Sequence, residues 1–181
     1  MSQDTIVGPP SSRSYTASAA DVADRASQNS IPEPQDGGGI PHELRAAMRI
    51  LVIDDDRTLR EGCASVLQVE GYNVTSCGRG DEALEMVKRS TYDIVLVDLY
   101  MTPVPGIEIL KATLAQRPEA IVVMMTGNPS VNSSVEALRL GAWDYLPKPF
   151  SGAHLQVLVG RAAVAVKAAR ERESARSSLM E

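Results

Sequence analysis

Three short runs built wholly of apolar residues constrain this chain more than any other feature: Ile50-Leu51-Val52-Ile53, Ile94-Val95-Leu96-Val97 and Ile121-Val122-Val123-Met124-Met125. A half-exposed strand alternates apolar with polar residues, whereas a run without alternation belongs to a strand covered on both faces. Helix patterns lie between the runs. Leu59, Cys63, Val66 and Leu67 share one face that stops at Gly71, and Ala83, Leu84 and Val87 form a shorter face capped by Asp81. Residues 107–116 and 134–140 carry two more helix patterns, and a last one starts near Ser151 and runs toward Ala169. Strands at 72–77 and 143–146 complete five strands alternating with five helices. Right-handed crossovers between parallel strands then give an α/β domain, a doubly wound (βα)5 fold with a five-stranded parallel sheet. In such a sheet the functional crevice lies at the C-terminal strand ends.

The chain changes character before the first run. Residues 1–47 are rich in Ser, Pro and Gly, with Tyr15 as the one aromatic residue, and show no sustained period. Such a stretch buries too little surface to offset its ordering entropy, so a disordered N-terminal extension is expected. Met48, just before the first strand, is an alternative start. The folded domain is expected over 48–162, followed at 163–181 by a polar tail that is either helical or frayed.

Charge and composition exclude several classes. With 18 basic and 23 acidic residues the net charge is −5, which provides no basic stripe for phosphates, so direct DNA binding is not expected. The longest strongly apolar run, residues 121–125, is far short of the roughly 18 residues of a membrane span, and no secretion signal opens the chain. Cys63 and Cys77 have no CxxC spacing and no histidine cluster beside them. A soluble, cytoplasmic protein is the expectation.

Polar residues stand where the apolar runs end. The first run is followed by Asp54, Asp55 and Asp56, the second by Asp98, the third by Thr126, and the fifth strand by Lys148. Converging carboxylates repel unless a cation joins them. A site with only oxygen ligands suits a hard ion, and Mg²⁺ fits best because it keeps waters and binds one or two carboxylates plus phosphate. A carboxylate nucleophile, a metal and two donors are the parts of a phosphoryl-transfer site. Any one of these residues alone reads as structural: Asp56 as a helix cap, Thr126 as a turn residue, Lys148 between prolines as a surface loop. Their joint position is what points to chemistry.

Four segments, 49–56 (RILVIDDD), 93–106 (DIVLVDLYMTPVPG), 125–127 (MTG) and 141–150 (GAWDYLPKPF), together resemble the receiver domain of two-component response regulators, the flavodoxin/CheY-like fold. The last segment looks most like receivers that precede sigma-54 activator modules. The resemblance implies Asp98 as phosphoacceptor. It implies Mg²⁺ held by Asp55 directly, by Asp54 partly through water, by Asp98 and by the backbone carbonyl of Tyr100. Thr126 becomes the hydroxyl that moves toward the phosphoryl group, Lys148 the salt-bridge partner, and Tyr145 the aromatic switch. The Lys148-Pro149 bond is often cis in this family. Thr102 departs from the family, which commonly has proline directly after the methionine. Tyr100, two residues past the acceptor, is bulky enough to shield an aspartyl phosphate from water.

Two features compete with this reading. Residues 78–83 match G-x-G-x-x-A between a strand and a helix, but the dinucleotide fingerprint belongs after a first strand, and Asp81 would place a carboxylate where pyrophosphate must sit. The last helix carries Leu155, Leu158, Val159, Ala162, Val166 and Ala169 at helical spacing. It packs on the sheet in the first reading and extends into a homodimer contact in the second.

The chain after Lys148 is taken up by the last helix, which implies a stand-alone receiver. Its partners would be a sensor histidine kinase or phosphotransfer protein and a downstream protein target, with no membrane. It would be no enzyme beyond self-phosphorylation from small phosphodonors and self-dephosphorylation. A phosphate shuttle or sink, and a phosphorylation-independent interaction module, are the alternatives.

Overall fold

A computed structural model describes residues 39–180. Five parallel strands, β1 (Arg49–Ile53), β2 (Asn73–Cys77), β3 (Ile94–Asp98), β4 (Ile121–Thr126) and β5 (Asp144–Pro147), form one sheet in the order β2-β1-β3-β4-β5. The apolar runs occupy β1, β3 and β4, the three central strands, because only a strand with neighbours on both sides and helices above and below buries every side chain. The edge strand β2 (NVTSC) is partly exposed and correspondingly polar.

Among the described residues six helices surround the sheet: α1 (His42–Ala46), α2 (Arg57–Val69), α3 (Gly80–Arg89), α4 (Gly106–Gln116), α5 (Val131–Arg139) and α6 (Gly152–Leu179). The strand period of two divides the core. Ile50, Val52, Leu96, Val123 and Met125 pack with Leu67 of α2 and with Leu155, Val159 and Ala162 of α6. Leu51, Ile53, Val95, Val97 and Met124 pack with Val87 of α3, Ile109 and Leu110 of α4, and Ala137 of α5. Each fully buried Leu or Ile contributes about 1.5–3 kcal/mol of transfer free energy, so the two faces together supply most of what holds the fold.

Several elements differ from expectation. The extension expected to be disordered through residue 47 lies outside the described residues up to 38, but by Ile40 the chain already packs on the core and His42–Ala46 is helical. Met48, 1% exposed, anchors this lead-in, and Arg45 pairs with Glu70 at 3.5 Å. A five-residue helix is too short to show a period. Asp81 does not cap α3: Arg79 holds that position, and Asp81 sits in the first turn, paired with the Arg79 guanidinium at 2.9 Å. α5 starts earlier than expected, at Val131, because Ser130 and Ser133 cap it reciprocally. α6 continues without a break to Leu179. Among the described residues no helix is long and apolar enough to cross a membrane.

Candidate functional site

Register brings the acids together. Ile53 pairs with Val97, so Asp54 and Asp98, each one residue further on, leave neighbouring strands side by side at the point where the strand order reverses. One carboxylate oxygen from each of Asp54, Asp55 and Asp98 lies within 4.8 Å of the others. Asp54 and Asp98 are buried and Asp55 is exposed, so the cluster opens to solvent on the Asp55 side.

Each acid is held by local chain geometry. Asp54 Oδ1 accepts from the Asp56 N–H at 2.9 Å, and Asp98 Oδ1 accepts from the Tyr100 N–H at 3.1 Å. Asp56 turns away from the cluster and caps α2, its Oδ1 accepting from the N–H groups of Thr58 and Leu59 at 2.9 and 3.2 Å. The Asp54 backbone is pinned on both sides. Its N–H donates to the Cys77 carbonyl at 3.2 Å, and its carbonyl accepts from Arg60 Nη1 at 2.7 Å.

Lys148 crosses from the far side of the sheet. Its N–H donates to the Thr126 carbonyl at 2.7 Å, which continues the β4–β5 pairing past Pro147. Its ammonium donates to Asp54 Oδ2 at 2.5 Å and to Asp98 Oδ2 at 3.2 Å. Burial works against the lysine's charge, but the hydrogen bond to Asp54 and the charges of Asp54 and Asp98 outweigh it and hold Lys148 above its ordinary pKa. Burial lifts the Asp54 carboxyl above the usual range, with Lys148 pulling it back. Cys63 lies close enough to feel this charge: burial first, then Asp54, pushes its thiol up to about 11, which leaves no thiolate for chemistry at neutral pH.

Thr126 is buried at the end of β4, and its Oγ1 accepts from the Asn128 N–H at 3.1 Å. Tyr145 is half-buried, and its hydroxyl lies 3.1 Å from Ser133 Oγ on α5. Among the described residues neither hydroxyl is hydrogen-bonded to Asp98 or Lys148. The structure therefore gathers Asp54, Asp55, Asp98 and Lys148 into one cluster, and leaves Thr126 beside it and Tyr145 engaged with α5. Tyr100 is 54% exposed at the rim. The Thr102-Pro103 and Lys148-Pro149 bonds are both cis.

The donor set fits a hard cation: three carboxylates cluster with one ammonium on two of them, all ligands are oxygen, and one side is open to water. Gly106 keeps the floor close, since a Cβ there would run into the Asp98 carbonyl. The glycines of the G-x-G-x-x-A stretch serve packing. A Cβ at Gly80 would meet the Val104 carbonyl, and the Gly80 N–H donates to the Thr102 carbonyl at 3.0 Å. Gly78 lies under the Arg60 guanidinium. Arg60 and Ser133 escaped the sequence reading because an arginine in a first helical turn and a serine in a cap carry no signal of what they touch.

Known proteins are similar to this chain in sequence and fold. Residues 50–160 match the response regulator receiver domain. Response regulator MprA of Mycobacterium leprae is 35% identical over 133 residues, 74% of this chain and 57% of MprA. Transcriptional regulatory protein ZraR of Escherichia coli K12 is 41% identical over 113 residues, 62% of this chain and 26% of ZraR. The chain thus spans little more than half of one relative and about a quarter of the other. Among solved structures, a CheY-like receiver domain protein from Methanospirillum hungatei superposes with a TM-score of 0.64 at 28% identity, covering 66% of this chain and 96% of that one. NtrX from Brucella abortus, in complex with ATP, superposes with a TM-score of 0.65 at 31% identity, covering 70% of this chain and 29% of NtrX.

Proposed function

The chain belongs to the response regulator receiver domain family, the phosphoacceptor modules of two-component signalling, and from that premise we propose that Asp98 is its acceptor and that phosphorylation changes a protein-binding surface. The observation that carries this is the shared ammonium. Among the described residues Lys148 is the one cation paired with the Asp54 and Asp98 carboxylates, with Asp55 a third carboxylate beside them. An acid cluster with one cation is short of positive charge, and Asp54, Asp55, Asp98 and the Tyr100 carbonyl are the groups that would hold Mg²⁺. When bound, Mg²⁺ neutralises the acids and the phosphoryl oxygens.

Asp98 attacks the phosphorus of a phosphohistidine or of a small acyl phosphate; the new P–O bond forms as the bond to the leaving group breaks. Lys148 stays within reach of Asp98 and pairs with the added dianion. Thr126 gives up its contact with the Asn128 N–H to donate to a phosphoryl oxygen, and Tyr145 follows by releasing Ser133. The output surface is the segment from Thr126 to Phe150, which includes α5 with Val131 and Leu138 exposed on it. The chain acts as a cytoplasmic receiver, phosphorylated by a sensor histidine kinase or phosphotransfer protein and read by a protein target.

Intact-protein mass after incubation with acetyl phosphate and Mg²⁺ tests this. One phosphoryl group is expected on the wild type and none on Asp98→Ala or in EDTA. An adduct that survives in Asp98→Ala means that another residue is the nucleophile.

A further inference from the structure

Arg60 reaches from the first turn of α2 back over the acidic turn. Its Nη1 donates to the Asp54 carbonyl at 2.7 Å. The guanidinium lies flat on Gly78: a Cβ built there would stand 2.7 Å from Nη1, 3.1 Å from Cζ and 3.4 Å from Nη2. The 54–55 peptide is thereby held from the α2 side, while the Cys77 carbonyl holds the Asp54 N–H and Asp54 Oδ1 holds the Asp56 N–H. What these contacts leave free is the side chain of Asp55, the exposed member of the three-carboxylate cluster.

We propose that Arg60 is a positioning residue for the cation site, orienting the 54–55 peptide so that the Asp55 carboxylate faces Asp54 and Asp98, and that Gly78 is glycine to leave room for it. This rests on the reading of the cluster as a Mg²⁺ site. Outer partners that orient metal ligands are typically worth 10–100-fold in metal affinity. Arg60 also carries a charge that repels a cation, so its removal alone mixes two opposing effects. Gly78→Ala separates them. The added methyl pushes only the far end of a flexible side chain, which keeps its charge and loses its place.

The experiment is a calorimetric Mg²⁺ titration of the full chain without phosphodonor, on wild type, Gly78→Ala, Arg60→Lys, Arg60→Met and the Arg60→Met/Gly78→Ala double variant. Gly78→Ala and Arg60→Lys should weaken Mg²⁺ binding by about tenfold. Gly78→Ala should add nothing to Arg60→Met, because no guanidinium remains for the methyl to displace. In phosphorylation assays the Mg²⁺ midpoint should rise while the saturating rate is kept, a split that plain loss of stability does not produce. Wild-type affinity in both Gly78→Ala and Arg60→Lys, or tighter binding in Arg60→Met alone, overturns the positioning role. A wild type that binds no Mg²⁺ overturns the reading of the site itself, and is told apart by its own flat titration.

Discussion

Two buried aspartates bracket strand β3, Asp93 just before it and Asp98 at its end, 3% and 7% exposed. They are the same residue type a strand's length apart, and their surroundings are opposite. Asp93 is one carboxylate among donors. Its Oδ2 accepts from the Arg49 N–H at 2.9 Å, and its Oδ1 faces Arg170 at 2.9 Å and Arg117 at 3.4 Å. Asp98 is one of three clustered carboxylates, and it shares a single lysine with Asp54. Arg117 also pairs with Glu119 at 3.1 Å, so charge is balanced at one end of the strand, whereas positive charge falls short at the other. An acid with rigid, permanently charged guanidinium partners holds elements together, and here Asp93 ties α6 and the α4–β4 connection to the sheet. An acid that shares one flexible ammonium keeps an oxygen available for a cation and for phosphorus. Burial of an aspartate therefore says nothing of its task until its partners are counted.

The contrast is open to direct attack. Asp93→Ala strands Arg170 and the Arg49 N–H, leaves Arg117 with Glu119 alone, and should cost the most stability, about 2–4 kcal/mol by urea denaturation, the lower part of the range reflecting the solvent around Arg170. It should still accept phosphate, because the site lies at the other end of the strand. Asp98→Ala should do the reverse, keeping or raising the urea midpoint by removing one of three like charges, while taking up no phosphate. Equal destabilisation by the two substitutions would break the comparison.

Mg²⁺ sharpens it. At a hundred times its Kd the ion should stabilise the wild type by about 2.7 kcal/mol, read as a rise in melting temperature. Asp55→Asn should lose most of that increment and Asp93→Ala should retain it.

Alkaline pH separates the ends more gently. Lys148 is held above its ordinary value, so its pairing contributes fully below that value, 10.5, and the contribution is lost as pH rises through the higher folded one. The fall in urea midpoint between pH 9 and 11.5 should be smaller in Lys148→Met than in the wild type. The smallest effect concerns the rim: Tyr100→Asn should shorten the lifetime of the phosphorylated state several-fold, followed by loss of the mass adduct, if the ring screens the aspartyl phosphate from water.

Much of the fold was legible because the central strands are unbroken apolar runs, and a run covered on both faces admits few architectures. The acids, Thr126 and Lys148 were legible because each stands where a run stops. Other elements were silent for local reasons. Helix α1 is too short for a period, and the continuation of α6 past Ala169 is mostly polar, with only Ala175 and Leu179 apolar. The glycines at 78 and 80 imitate a phosphate-binding loop in the sequence, and only the distances to Arg60 and Val104 reveal them as packing devices.

What the sequence determined by itself is what depends on neighbours along the chain: period, caps, the residue after each run, and so the class of fold and the chemistry available at one edge. Tertiary structure alone decided which charges meet. That Lys148 reaches Asp54 across 94 positions, that Arg170 reaches Asp93 across 77, and that Arg60 lies flat on Gly78 follow from strand order and helix packing. Coulomb energy depends on distance through space, and the folded chain sets that distance with little regard to separation in sequence.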